Sequence, residues 1–119
     1  MKKEKSSPAV CNATDHDAHT HDLRSDRVIN RTAEMFRALG DVSRLRMMEL
    51  LFDGRHCVSE LAAETGESMS TISQRLKILC QAGLVAKQRS GKHIYYSLAD
   101  SHVFELLDNA FEHTIEHNL

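Results

Sequence analysis

Residues 57–83, CVSELAAETGESMSTISQRLKILCQAG, constrain the fold of this chain more than any other stretch. Two short runs carry apolar residues at helical spacing: Val58, Leu61 and Ala62, then Ile72, Leu76 and Leu79. Gly66 ends the first run, Ser68 or Ser70 starts the second, and Gly83 closes it. A short helix, a brief turn and a second helix bearing small hydroxyls and cations describe a helix-turn-helix. The pattern then changes. LVAKQRS and KHIYYSL, joined around Ser90 and Gly91, read as two strands of a hairpin. Of the Tyr95–Tyr96 pair, one ring is expected in the core and the other at the surface.

The flanking segments complete the order. Val28, Ala33, Phe36 and Leu39, with Met35 beside them, fit a helix over residues 24–39 that Gly40 ends. Asp41 is placed to cap a second, more apolar helix over residues 42–54, closed by Gly54. Asp100 caps a last helix whose stripe is Val103, Leu106, Leu107, Ala110, Phe111 and Ile115. The expected fold is mainly α with a small β-hairpin, a winged helix-turn-helix in the order α-α-α-α-β-β-α. It is expected to dimerise with its copy through the first and last helices. Residues 1–22, with the only proline and the interleaved acids and histidines of TDHDAHTHD, read as a flexible, ligand-rich arm. Residues 23–119 form the single folded domain.

Composition matters here mainly by its distribution. The net charge is −2 over 119 residues, yet residues 68–93 hold Arg75, Lys77, Lys87, Arg89 and Lys92 and no acid. The last 20 residues are the reverse, with Asp100, Glu105, Asp108, Glu112 and Glu116 and no Lys or Arg. Phosphate suits the first surface and a cation the second. No apolar run approaches the roughly 18 residues of a membrane span, and the basic N-terminus lacks the apolar stretch of a signal peptide. A cytoplasmic protein is expected. Cys11, Cys57 and Cys80 are too few and too scattered for a disulfide framework, so thiols are expected.

The basic stretch predicts a double-stranded DNA interface. Ser70, Thr71, Ser73, Gln74 and Arg75 stand in the N-terminal half of the second helix of the pair, where side chains reach base edges. Lys87, Arg89, Lys92 and His93 surround the hairpin tip, as a wing along the phosphate backbone requires.

The acidic helix predicts a metal site. His102 and His113 are eleven steps apart, about 20° past three full turns, so they share a face. Eleven steps also rise about 16 Å, so one helix cannot bring both to one ion. Asp100 with His102, and His113 with Glu116, therefore form two half-sites at opposite ends. An antiparallel copy of the helix in a second protomer would join them into two interprotomer sites. Two imidazoles and two carboxylates suit Zn²⁺ and admit Co²⁺ or Ni²⁺, whereas Cu⁺ prefers thiolates. His117 lies off this set. Four protein ligands leave no open position for hydrolysis, and no nucleophile constellation is present, so an enzyme is not expected.

RALGDVSRLRMMELL, HCVSELA and SMSTISQRLKILCQAGLV, in this order, resemble the ArsR/SmtB family of metal-sensing winged-helix repressors. The likeness covers residues 28–117. Asp100, His102, His113 and Glu116 reproduce the D-x-H-x10-H-x2-E pattern of the family's zinc sensors. The resemblance implies a cytoplasmic homodimer that binds operator DNA without metal, lets go when zinc binds, and controls genes of metal efflux or sequestration. It also implies a second site around RHCVSEL. Cys57 and Glu60 supply its local half, and Cys11, Asp15, His16, His19 and His21 of the arm are candidates for the other. In the arm, Asp15 and not His stands four residues after Cys11. A multi-metal sensor of Cd²⁺, Cu⁺ or Zn²⁺ acting there is the alternative reading. A redox-responsive repressor using Cys11 and Cys57 is another, although no CxxC supports it.

Overall fold

A computed structural model describes residues 22–118, so Cys11, Asp15, His16, His19 and His21 lie outside the described residues. Five helices and one hairpin follow in order: α1 (Asp26–Leu39), α2 (Val42–Leu50), α3 (Val58–Thr65), α4 (Met69–Gln81), β1 (Val85–Ser90), β2 (His93–Leu98) and α5 (Ser101–Asn118). This is the winged helix-turn-helix order expected from the sequence.

Short polar residues punctuate the chain where the backbone needs them. Ser25, Asp41, Ser68 and Asp100 each accept a hydrogen bond from the amide three residues ahead, satisfying a donor that has no partner in the first turn. The C-terminal carbonyls of α1 are met by Arg44, whose Nε donates to Ala38 O at 2.7 Å. Between α3 and α4, Gly66 takes φ +77°, which lets its N–H return to Ala62 O at 2.8 Å.

Helix α4 is the centre of the molecule. It packs on α1, α2, α3 and β1, and Ile72, Leu76 and Leu79 are fully buried. Met47, Met48, Leu51, Leu61 and Leu84 close around them. Each such side chain contributes about 1.5–3 kcal/mol relative to an exposed one. The hairpin pairs Val85 with Leu98 through to Ser90 with His93, leaving Gly91 and Lys92 as a two-residue turn. Gly91 has φ +64° and no other residue type has positive φ among those described, as a II′ turn requires. One further bridge, His56 to Tyr96, lays the start of α3 against β2. Tyr96 packs on the core, while Tyr95 lies under Arg55, 4.2 Å from the guanidinium carbon to the ring centroid.

One boundary differs from the sequence reading. Helix α2 stops at Leu50, and residues 51–54 form tight turns that end at Gly54. The early stop turns Phe52 onto α5, where its ring meets Phe104 at 4.8 Å and Phe111 at 5.9 Å. Helix α1 buries only Ala38 and Leu39 and leaves Val28, Ile29 and Phe36 exposed. Its apolar side is thus largely uncovered within one protomer.

Candidate nucleic-acid interface and metal half-sites

The outward side of α4 divides into two flanks. Ile72, Leu76 and Leu79 hold the inward side, so at 100° per residue Ser70, Gln74 and Gln81 point away from the core. Ser70 and Gln74 line a groove shared with Asp41, Ser43 and Arg44 at the start of α2. Ser73, Lys77 and Gln81 line another groove, towards the wing, with Cys80, Lys87 and Tyr96. Of the five α4 residues expected at DNA, Ser70, Ser73 and Gln74 are free and exposed. Thr71 is half-buried and its hydroxyl accepts from Ser68 Oγ at 3.0 Å. Arg75 is 21% exposed and its Nη2 pairs with Glu67 Oε2 at 3.4 Å, which fixes the turn between α3 and α4. It also lines the groove beside Ser70 and Gln74.

Lys77 was not among the expected DNA residues, yet it stands exposed one turn after Ser73 and faces the wing. The signal was available: Ser73 and Lys77 are four apart and share a face. Lys87, Arg89, Lys92 and His93 are all exposed along the hairpin, and Arg89 reaches back to Gly91 O at 3.5 Å. Cys80 packs against the core, and burial pushes its thiol above the usual cysteine range while Lys87 pulls the other way. That suits a core residue better than a metal ligand.

The two half-sites of α5 are as separate as the spacing requires. At its start, Asp100 Oδ1 accepts from Val103 N at 3.0 Å and lies 3.8 Å from His102 Nδ1. The cap position, outside the helix, is what brings two residues only two apart to one side. The His102 side chain is 90% exposed. One turn before the end of α5, His113 and Glu116 are both exposed. Glu116 Oε1 leans towards His117 Nε2 at 3.6 Å, and the His113 and His117 rings lie 4.4 Å apart. His117, which the spacing argument set aside, is therefore part of the C-terminal cluster; its position four residues after His113 was the sign. No group of three His, Cys, Asp or Glu side chains able to hold an ion forms among the described residues of one protomer. The donors nevertheless fit a divalent cation: they are solvent-facing, and no Lys or Arg among the described residues pairs with them.

The other candidate half-site sits at the entry to α3. Cys57 is the N-cap, one residue before the helix, and not on its face. Glu60 Oε1 accepts from Cys57 N at 2.9 Å, and this bond holds the carboxyl below its ordinary range. The half-buried Cys57 Sγ is 3.2 Å from Ser59 Oγ. His56 stands between two acids, with Nε2 2.9 Å from Asp53 Oδ1 and Nδ1 3.7 Å from Glu60 Oε1. The hydrogen bond from His56 lowers the Asp53 carboxyl in turn.

Comparison with known proteins agrees with this architecture. Residues 41–87 match the family model described as "Bacterial regulatory protein, arsR family". A transcriptional repressor SmtB homolog from Synechocystis is 45% identical over 84 residues. That match covers 71% of this chain and 64% of the relative, just under two thirds of its length. The HTH-type transcriptional regulator NmtR of Mycobacterium tuberculosis is 40% identical over 84 residues, 71% of this chain and 70% of that one. Among solved structures, the homodimeric winged helix-turn-helix DNA-binding domain of a possible ArsR-family regulator from Mycobacterium bovis superposes with TM-score 0.76 at 30% identity. It covers 83% of this chain and 94% of that one. These relatives are transcriptional regulators and not enzymes, and no described helix is long and apolar enough to cross a membrane. With the helix pair, wing and flanking helices in family order, the chain belongs to the ArsR family of bacterial regulatory proteins.

Proposed function

We propose that this chain is a metal-responsive transcriptional repressor, which binds operator DNA as an apo homodimer and is released by Zn²⁺. Genes of metal efflux or sequestration are the fitting targets. The observation that carries the reading is the division of α5: a carboxylate and an imidazole at each end, on a helix whose outer stripe is uncovered. Ile115 is 54% exposed, and Val28, Ile29 and Phe36 of α1 are exposed as well. A second copy covers these faces and brings the two kinds of half-site together. Asp100 and His102 of one protomer and His113 and Glu116 of the other would hold the ion. Zn²⁺ supplies a four-coordinate cross-link between the paired α5 helices.

The polar side of the molecule does the binding. Ser70, Ser73 and Gln74 offer donors and acceptors to base edges, while Lys77 and the wing cations Lys87, Arg89 and Lys92 meet phosphates. Linkage makes the switch reciprocal: whatever free energy metal removes from DNA binding, DNA removes from metal binding. Imidazoles must be deprotonated to ligate, so the response weakens on acidification. The test is a zinc titration of the reduced dimer on fluorescent operator DNA, repeated with His113→Ala. Release in the wild type alone is the expected result. Release in both would move the sensing site to Cys57 and the arm, and the half-exposed Cys57 thiol beside Glu60 favours that as the second reading, with Cd²⁺ or Cu⁺ as ligand.

A further inference from the structure

Most of the large apolar side chains left exposed lie on or beside the two helices that a second protomer covers: Val28, Ile29 and Phe36 with α1, Phe104 and Ile115 on α5. Met69 does not. It is the first residue of α4, 54% exposed, on a helix whose other apolar side chains are buried or half-buried. Ser68 caps the helix beside it, accepting from Thr71 N at 3.1 Å, so this first turn is held firmly. Helical spacing puts Met69, Ser73 and Lys77 in one row along the wing-side flank. The row is an apolar tip, a hydroxyl and a cation, ordered from the N-terminal end of α4 outwards.

We propose that Met69 is a specificity residue that packs on the 5-methyl group of a thymine in each operator half-site. The proposal rests on the DNA-binding reading above. In that reading the N-terminal residues of the second helix go deepest into the major groove, where thymine alone presents a methyl group. No other exposed residue of α4 is apolar: the rest are Ser70, Ser73, Gln74, Lys77 and Gln81, and Ile78 is half-buried. The unbranched thioether adapts to a methyl group without a demanding fit, and burying both removes apolar surface from water.

Duplexes enriched from a random library by the full-length reduced protein provide the probe. Each thymine is then replaced singly by deoxyuridine, which removes the methyl group and nothing else, and binding is followed by fluorescence anisotropy at fixed salt. One thymine per half-site is expected to show a loss of about fourfold, the worth of one buried methyl group. Met69→Ala should erase that loss at this position and leave the effect of every other substitution unchanged. The variant keeps the fold, since Met69 is exposed and alanine favours helix. Equal deoxyuridine losses in wild type and variant, or no sensitive thymine in a duplex that binds, would overturn the assignment of Met69 and leave DNA binding intact. Failure of the wild type to enrich any duplex would overturn both.

Discussion

Helices α4 and α5 are both amphipathic, yet they complete themselves differently. The apolar side of α4 closes within its own protomer, with Ile72, Leu76 and Leu79 fully buried. That of α5 closes only in part: Val103 and Leu107 are buried, whereas Ile115 remains exposed. The charges follow the same division. The solvent side of α4 carries hydroxyls, amides and a lysine, and that of α5 carries acids and histidines. A helix locked in its own core presents a rigid surface for reading DNA. A helix left half-covered can form a joint between two copies, and in the proposed function that joint is where the ion acts. Rigidity and adjustability are thus assigned to different helices of one small domain.

Substitution of the apolar residues should separate the two kinds of helix most clearly. Leu76→Ala is expected to cost about 2–5 kcal/mol of unfolding free energy in urea at fixed protein concentration. Ile115→Glu should leave the protomer fold intact by circular dichroism and raise the dimer dissociation constant at least tenfold in sedimentation. An Ile115→Glu protein that unfolds while staying dimeric would break the contrast. Asp100 tests the start of α5 on a finer scale, because one carboxylate both caps the helix and faces His102. Asp100→Ala should lose about 1 kcal/mol of stability together with zinc response. Asp100→Ser should keep the cap, retain most of the stability and still lose the response. Equal zinc affinity in the serine variant and the wild type would remove Asp100 from the ligand set. The smallest effect belongs to Lys77. Lys77→Ala should weaken DNA binding about equally on all sequences and lower the slope of log K against log salt by about 1 per contact. An unchanged slope would mean that Lys77 meets no phosphate.

Much of the fold was legible in the chain because its signals are local. Asp41 before an apolar run, Gly66 and Gly83 after two others, and the turn around Ser90 and Gly91 each depend on near neighbours. The end of α2 was not legible, since its stop at Leu50 serves Phe52, whose partners Phe104 and Phe111 are more than fifty residues away. The site residues divide in the same way. The eleven-residue spacing of His102 and His113 was enough to show that one helix cannot bring both to one ion. The ion pair of Arg75 with Glu67 was not legible, because its position on α4 gave no hint of that partner. Lys77 and His117 were passed over although helical spacing already put them beside Ser73 and His113.

By itself, then, the sequence determined which helices form, which sides of them are apolar, and which donors sit one turn apart, because these follow from a period of 3.6 residues and from capping chemistry. Only the tertiary structure decided which of those apolar sides are satisfied. Burial is a relation between segments distant in sequence: α4 finds α1, α2, α3 and β1 around it, while Val28, Ile29 and Phe36 of α1 and Ile115 near the end of α5 stay exposed in the protomer. That inequality, invisible in any single stretch of residues, separates the surface proposed to read DNA from the one proposed to meet a second copy.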